Sequence, residues 1–227
     1  MDFSKLINRL THHRSSLAFN PSDGFYETAA REPRDRYSYD RQEVLRQSLE
    51  AWRTNPLARR LVELTSQYVV GGGISLSSPH AGTHRFLDAW WNHPYNQMPV
   101  RVFELCDELT RSGELFLLIS TGADGMSYIR SIPASEIVEV HTAENDAEQE
   151  LSYVQRSGGL QEETVWPAYL PCSDMPDEEG RFQTVMAHYA INRPAGAVRG
   201  ESDLAPVLRW LVRYSAWLED RARLNRF

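Results

Sequence analysis

From Arg41 onward apolar residues recur at three- and four-residue steps, the period of an amphipathic helix, and turn residues cut that period into segments. Val44, Leu45, Leu49 and Trp52 predict a first helix. Thr54-Asn55-Pro56 ends it and opens the next, because Asn caps free N–H groups and Pro at the first helical position has no hydrogen bond to lose. Leu57, Leu61, Leu64, Thr65 and Tyr68 carry this second helix to Val70, where Gly71-Gly72-Gly73 stops it. A shorter helix around Phe86, Leu87, Trp90 and Trp91 closes at Asn92-His93-Pro94, with the tryptophan pair read as packing groups buried within the fold. Val100, Phe103, Leu105, Cys106 and Leu109 give another, ended by Ser112-Gly113, since glycine takes the left-handed backbone past a helix end without steric cost.

The period then changes. Glu114 to Ser120 is an apolar run between turn signals, and Gly122-Ala123-Asp124-Gly125 can return it as a hairpin into Met126 to Ile132. Residues 137–141, 151–156, 162–166 and 182–189 are further strand segments, separated by Gly158-Gly159 and by the Pro- and acid-rich loop Pro167 to Gly180. Helices first, strands next and a long helix last predict an α+β fold: N-terminal helices, a mixed or antiparallel sheet, and a long C-terminal helix. Residues 1–40 show no sustained period beyond a short amphipathic piece at Phe3, Leu6, Ile7 and Leu10, and read as a partly mobile arm.

The last helix has an unusual pattern. Ser202 or Asp203 can cap it, and its first turn tolerates Pro206. Leu204, Val207, Leu208, Leu211, Ser215, Leu218 and Ala222 fall on one side of a helix about 25 residues and roughly 37 Å long. Trp210, Tyr214, Trp217 and Leu224 fall on another, with Arg209, Arg213, Arg221 and Arg223 between or beside them. The first side is the expected core stripe. For the second, burial within the chain and burial against another molecule stand about even, and Trp210, Tyr214 and Trp217 are the candidate subunit interface. The pattern is still running at Phe227, so the helix is expected to continue past it.

Composition narrows the function classes. At 227 residues and 41% hydrophobic content the chain can bury a substantial core. It has no run of about 18 apolar residues for a membrane span, and MDFSKLINRLTHHR lacks the apolar centre of a secretory signal, so a cytosolic protein with no membrane partner is expected. The net charge of −7 argues against a surface that coats nucleic acid. Acidity is concentrated between Ser131 and Gly180, with 12 Asp and Glu against Arg156 alone, and that region is expected to face solvent or a protein and to avoid DNA. Cys106 and Cys172 stand 66 positions apart with no metal-ligand spacing beside either, and read as idle or buried thiols.

Catalytic patterns are weak. Lys5 is the sole lysine, which removes Schiff-base and phosphate-loop chemistry downstream of it. Gly71-Gly72-Gly73 follows a helix, whereas phosphate loops precede one. His12, His13, His80, His84, His93, His141 and His188 form no helical zinc pair and read as loop or satisfied core histidines. No Gly-x-Ser-x-Gly elbow occurs, and Glu162-Glu163 and Asp177-Glu178-Glu179 read as acidic surface. No catalytic, cofactor or metal site is expected, and no enzyme activity.

Four segments carry a resemblance in their order and spacing: Asn55-Pro56-Leu57-Ala58-Arg59-Arg60 leading to Tyr68-Val69-Val70-Gly71-Gly72-Gly73-Ile74, Gly113-Glu114-Leu115-Phe116-Leu117-Leu118, Ile132-Pro133-Ala134-Ser135-Glu136-Ile137, and Arg199-Gly200-Glu201-Ser202-Asp203-Leu204. From about residue 41 to 227 the chain resembles the N-terminal part of tailed-bacteriophage portal proteins. The resemblance implies a wing-like α+β domain at 41–227 whose long helix leads toward stem, clip and crown regions beyond it. It also implies a ring of identical subunits, twelve at full length, at one capsid vertex of the virion, assembled in the host cytoplasm. DNA would pass through the ring without sequence-specific binding during packaging and ejection. The implied partners are the protein itself, capsid and scaffold proteins, terminase and a head–tail adaptor. A stand-alone head-assembly or protein-binding module without catalytic activity is the alternative, and a hydrolase with dispersed residues is a third, requiring a pocket where a His meets a carboxylate and a nucleophile.

Overall fold

Capping residues set the helix boundaries. The computed structural model describes residues 40–157, 163–171 and 175–226. In it α1 spans Arg41–Thr54 and α2 spans Pro56–Val69, and between them Asn55 Oδ1 accepts the backbone N–H of Leu57 at 2.9 Å. Helix α3, Ala81–Trp91, begins at His80, whose Nδ1 accepts the Thr83 N–H at 3.3 Å. Helix α4, Met98–Ser112, ends at Gly113 with φ 77°, where only glycine is unstrained. Contacts separate residues 1–40 from the unit formed by 41–227; the arm expected over 1–40 lies outside the described residues except for Asp40, as do Glu162 and Cys172.

Small residues decide how the helices pack. Helix α2 lies against α1 and α4, and its buried positions are Ala58, Val62 and Ser66, with Ser48 buried on α1. Short side chains at the contact let two helix backbones approach closely. The larger residues that define the α2 period, Leu57, Leu61 and Tyr68, are therefore left exposed, as are Val100 and Phe103 on α4. Behind these helices Val70, Met98 and Val102 form a small core against which Trp90 and Trp91 pack, and both rings are only partly buried. Buried Asn96 ties this helical region to the strands by donating to Ser127 O at 3.0 Å and accepting from Ile129 N–H at 3.3 Å.

The strands form two three-stranded antiparallel sheets where the sequence predicts one. Strands β1 (Glu114–Thr121) and β2 (Ser127–Ile132) make the expected hairpin, and β6 (Val185–Ala190) pairs with the other side of β1. Across this sheet Leu118 stands opposite Arg130 on one side and Met186 on the other. Strands β3 (Ile137–Ala143), β4 (Asp146–Arg156) and β5 (Glu163–Pro167) pair in sequence order. Pro133, which lacks an N–H, and the 3-10 turn Ala134–Glu136 interrupt the chain between β2 and β3, so the ladder cannot run on. The sheets share one core of Leu45, Phe116, Ala134, Ile137, Tyr153, Ala168 and Met186. A parallel bridge between Ala168 and Met186 joins them directly.

The C-terminal element starts with a 3-10 turn, Ala205–Val207, and continues as α5, Leu208–Leu224. The cap expected from Ser202 or Asp203 is not at the helix start, which falls later: Leu204 precedes the 3-10 turn and Val207 precedes α5, neither with a side-chain cap, while Ser202 Oγ accepts the Leu204 N–H at 3.0 Å in the turn before them. Asn225 takes the position after the last helical turn. Leu204, Leu208 and Leu211 are buried, and from Val212 onward the helix is exposed. The core stripe expected to extend through Ser215, Leu218 and Ala222 therefore ends at Leu211, and Leu218 is 45% exposed. The cause is the length of the partner: α1 has only 14 residues, and Asn55, just past its end, makes a contact to Ser215 Oγ at 3.3 Å. Beyond that point α5 projects.

Candidate functional site

Helix α5 carries the three candidate interface residues, all outside the core. Trp210 is 66% exposed, Tyr214 45% and Trp217 53%, and the rings of Tyr214 and Trp217 stack with centroids 5.9 Å apart. Arg213 lies over the Trp210 ring at 5.8 Å and Arg221 over Trp217 at 5.6 Å, so the aromatic ridge is flanked by guanidinium groups. Val212 and Leu224 add exposed apolar surface. Isolated apolar residues on a surface mean little, but aromatics aligned on one projecting helix form a contiguous patch of the kind that marks an interaction site. Sequence periodicity found the ridge; it did not find that the opposite stripe is uncovered too.

A groove of about 690 Å³ opens between α1 and α5 where the two helices diverge. Glu50, Ala51 and Thr54 line it from α1, and Leu208, Val212 and Glu219 from α5. Its lining combines apolar residues with two carboxylates, Glu50 and Glu219, and two guanidinium groups, Arg209 and Arg213. Nothing in the residue pattern announces it, because its two walls come from helices far apart in sequence.

Helix α5 is held at its base by a buried charge cluster that sequence reading missed. Glu114, the first residue of β1, is fully buried, and Arg199 grips it with two hydrogen bonds, Nε to Oε2 at 2.7 Å and Nη2 to Oε1 at 2.6 Å. Arg199 also donates to the carbonyls of Ile137 at 3.1 Å and Ala134 at 3.2 Å. Arg41 Nη1 stands 3.5 Å from Glu114 and donates to Gly200 O at 2.6 Å. Three of the four segments that carry the portal resemblance, around Gly113-Glu114, Ala134 to Ile137 and Arg199-Gly200, thus meet at one point. Backbone contacts close the knot: Ile191 N–H donates to Gly113 O at 2.9 Å and Glu201 N–H to Ile191 O at 3.0 Å. Burial by itself would raise the Glu114 carboxyl, but His188, the Arg199 hydrogen bonds and the charges of Arg199 and Arg41 outweigh it and bring it down to about 2.

His188 on β6 sits inside this cluster, 1% exposed. Its Nδ1 is 2.7 Å from Glu150 Oε1 on β4, and its Nε2 is 3.5 Å from Glu114 Oε2, a charge contact too poorly aligned for a hydrogen bond. The ring stacks on Phe116 with centroids 4.2 Å apart, and Tyr153 donates its hydroxyl to Glu150 at 2.6 Å. Burial opposes the imidazolium, yet the two carboxylates outweigh it and raise the His188 pKa above its ordinary value. Both ring nitrogens face carboxylates, one on each sheet, so the group joins the two sheets.

The remaining sequence candidates fall elsewhere. His80 caps α3, and His93 packs between the rings of Tyr95 and Tyr128. Asp177 accepts backbone N–H groups of Glu179 at 3.0 Å and Arg181 at 2.7 Å, the work of a turn residue. Among the described residues no three His, Cys, Asp or Glu side chains converge as a metal site, and no helix is long and apolar enough to cross a membrane. No model of a known family matches the chain, and no curated protein matches it.

Proposed function

We propose that this chain is a structural subunit of a tailed-bacteriophage portal ring, contributing a wing-like domain to the connector through which DNA passes at one capsid vertex. The observation that carries the reading is the projecting half of α5, which leaves Trp210, Tyr214 and Trp217 uncovered beyond a firmly held base. A subunit packed between neighbours in a closed ring requires surface of this kind, and a monomer gains nothing from it. Two further features support it. Segments of the portal-like pattern that are far apart in sequence come together at Glu114 and Arg199, so their spacing has a structural reason in this chain. Most acidic residues of β3 to β5, among them Glu139, Asp146, Glu148 and Glu163, are exposed, as suits a surface kept away from packaged DNA, whereas Glu150 turns inward to His188.

Immunogold labelling of particles produced by the genome that encodes the chain tests the proposal. Label at a single vertex is expected, together with heads that lack DNA when the gene is deleted. Particles without label, or label spread evenly over the shell, would overturn it.

A further inference from the structure

The turn between β3 and β4 extends past the point where both neighbouring ladders end. Pairing of β3 with β4 is regular from Glu139 opposite Val154 to His141 opposite Ser152. Then Thr142 stands opposite Glu150 and Ala143 opposite Asp146, so Leu151 is skipped at the first step and Ala147, Glu148 and Gln149 at the second. Glu150 thus has an irregularity on each side of it. On the other side of β4, pairing with β5 begins only at Ser152 opposite Pro167.

From this segment the Glu150 carboxylate reaches back to the body of the fold. Its Oε1 stands 2.7 Å from His188 Nδ1 on β6, and its Oε2 accepts the Tyr153 hydroxyl at 2.6 Å. The His188 side chain is 1% exposed and that of Glu150 13%, so the histidine is enclosed while the carboxylate lies near the surface. On its other side His188 faces Glu114 of β1 at 3.5 Å, and its ring stacks on Phe116. Arg199 and Arg41 hold Glu114 from behind, and Arg193 acts on Glu150 through its charge. An imidazolium has an N–H for each carboxylate, whereas a neutral ring has one. Carried on Nδ1, that N–H keeps the bond to Glu150 but loses the attraction of opposite charges; carried on Nε2, it leaves a lone pair facing Glu150. Glu114 keeps its two hydrogen bonds from Arg199 in either case, so Glu150 is the group that lets go.

We propose that Glu150 and His188 form a proton-operated latch: a charged His188 ties residues 143–150 to β6, and a neutral one lets Glu150 turn to solvent and frees the segment while both sheets stay folded. The opening is local, because Phe116, Ile137, Tyr153 and Met186 join the sheets through apolar contact that needs no proton. The two carboxylates raise the His188 pKa, which places the release above the ordinary 6.5. The latch is independent of the portal reading.

Methyl NMR of the purified chain tests it. The Cα–Cβ axis of an alanine follows its backbone, so Ala143 and Ala147 report on the segment and Ala187 on β6. Order parameters of about 0.85 are expected for all three at about pH 5.5; at about pH 9, values below about 0.6 are expected for Ala143 and Ala147, with Ala187 unchanged. The midpoint should coincide with that of the His188 ring carbon. A His188 that does not titrate in this range, one that titrates without any change at Ala143 and Ala147, or an equal loss of order at Ala187 would overturn the latch. The near-isosteric variant Glu150→Gln is expected to remove the pH step at Ala143 and Ala147 and leave Ala187 rigid; a step of wild-type size in that variant would sink the proposal too.

Discussion

The two ends of the segment Arg199 to Leu224 could hardly differ more in how they are held. At its start, Arg199 and Gly200 are locked by charge pairs and backbone hydrogen bonds to residues on β1, the 3-10 turn after β2, and α1. At its end, α5 carries tryptophans in solvent, flanked by residues of the same helix: Arg213 over Trp210, and Arg221 and Tyr214 over Trp217. A monomer whose needs ended at folding would place its aromatics inside and its charges outside. On the proposed reading, stability and association fall to different stretches of one segment, so substitutions should separate them.

The sharpest way to break that comparison is at the base. A Cβ added to Gly200 would collide with the Gly113 carbonyl and approach the Ile191 carbonyl at 2.8 Å, where neither neighbour is a movable side chain. Gly200→Ala is expected to cost more than about 4 kcal/mol, read as loss of the cooperative transition in urea. Next in size is Arg199→Ala, which leaves Glu114 buried with weaker partners and should lower stability by about 3–5 kcal/mol. A wild-type urea midpoint in that variant would show that Arg41 and His188 suffice to hold the carboxylate.

The pH dependence follows from the directions of the shifts. Glu114 has its folded value depressed, so its contribution is present above the ordinary 4.5 and lost as pH falls toward about 2. His188 has its folded value raised, so its contribution is complete below the ordinary 6.5 and lost as pH rises through the folded value. The groups facing it are Glu114 on β1 and Glu150 and Tyr153 on β4, with Arg199 and Arg41 behind Glu114. Thermal melting should therefore be highest between about 4.5 and 6.5, and the decline above 6.5 should flatten in His188→Gln; an unchanged alkaline limb would remove His188 from the account.

The smallest effect is expected at the other end of the segment. Trp217→Ala should leave melting of the isolated chain within about 0.5 kcal/mol of wild type, as an exposed residue does, while weakening assembly. Leu218→Ala should behave likewise, although its place in the heptad-like stripe would assign it to the core. A large drop in melting for either would mean that the outer half of α5 is buried by its own chain.

What sequence could show here depended on distance. Local chemistry was legible: Asn55-Pro56 and Ser112-Gly113 marked helix ends to the residue because caps act over one turn. Which face a helix buries was less so, since Ala58, Ser66 and Ser48 win their positions by being small, and a scan for large apolar residues selects Leu57 and Tyr68 instead. The Glu114 cluster was not legible at all. Its arginine is 85 residues away, and the histidine comes from yet another strand, so no window along the chain contains the pair. The ridge was visible as a period, whereas its exposure depended on α1 ending early.

The close approach of Gly113 and Gly200 also carries an expectation about the order of folding. The segment that anchors α5 is expected to seat after β1, β6 and the turn at Ala134 have come together, because its contacts close long chain segments, which is slow compared with helix formation. A newly made chain with an unfinished sheet would then have a helix but no fixed direction in which to aim it. Protection of the Glu201 amide, bonded to Ile191, should appear in refolding hydrogen exchange no earlier than that of β1, and copies should begin to recognise one another only afterwards. The glycine contact would in that way act as a checkpoint, withholding partners from subunits that have not finished folding.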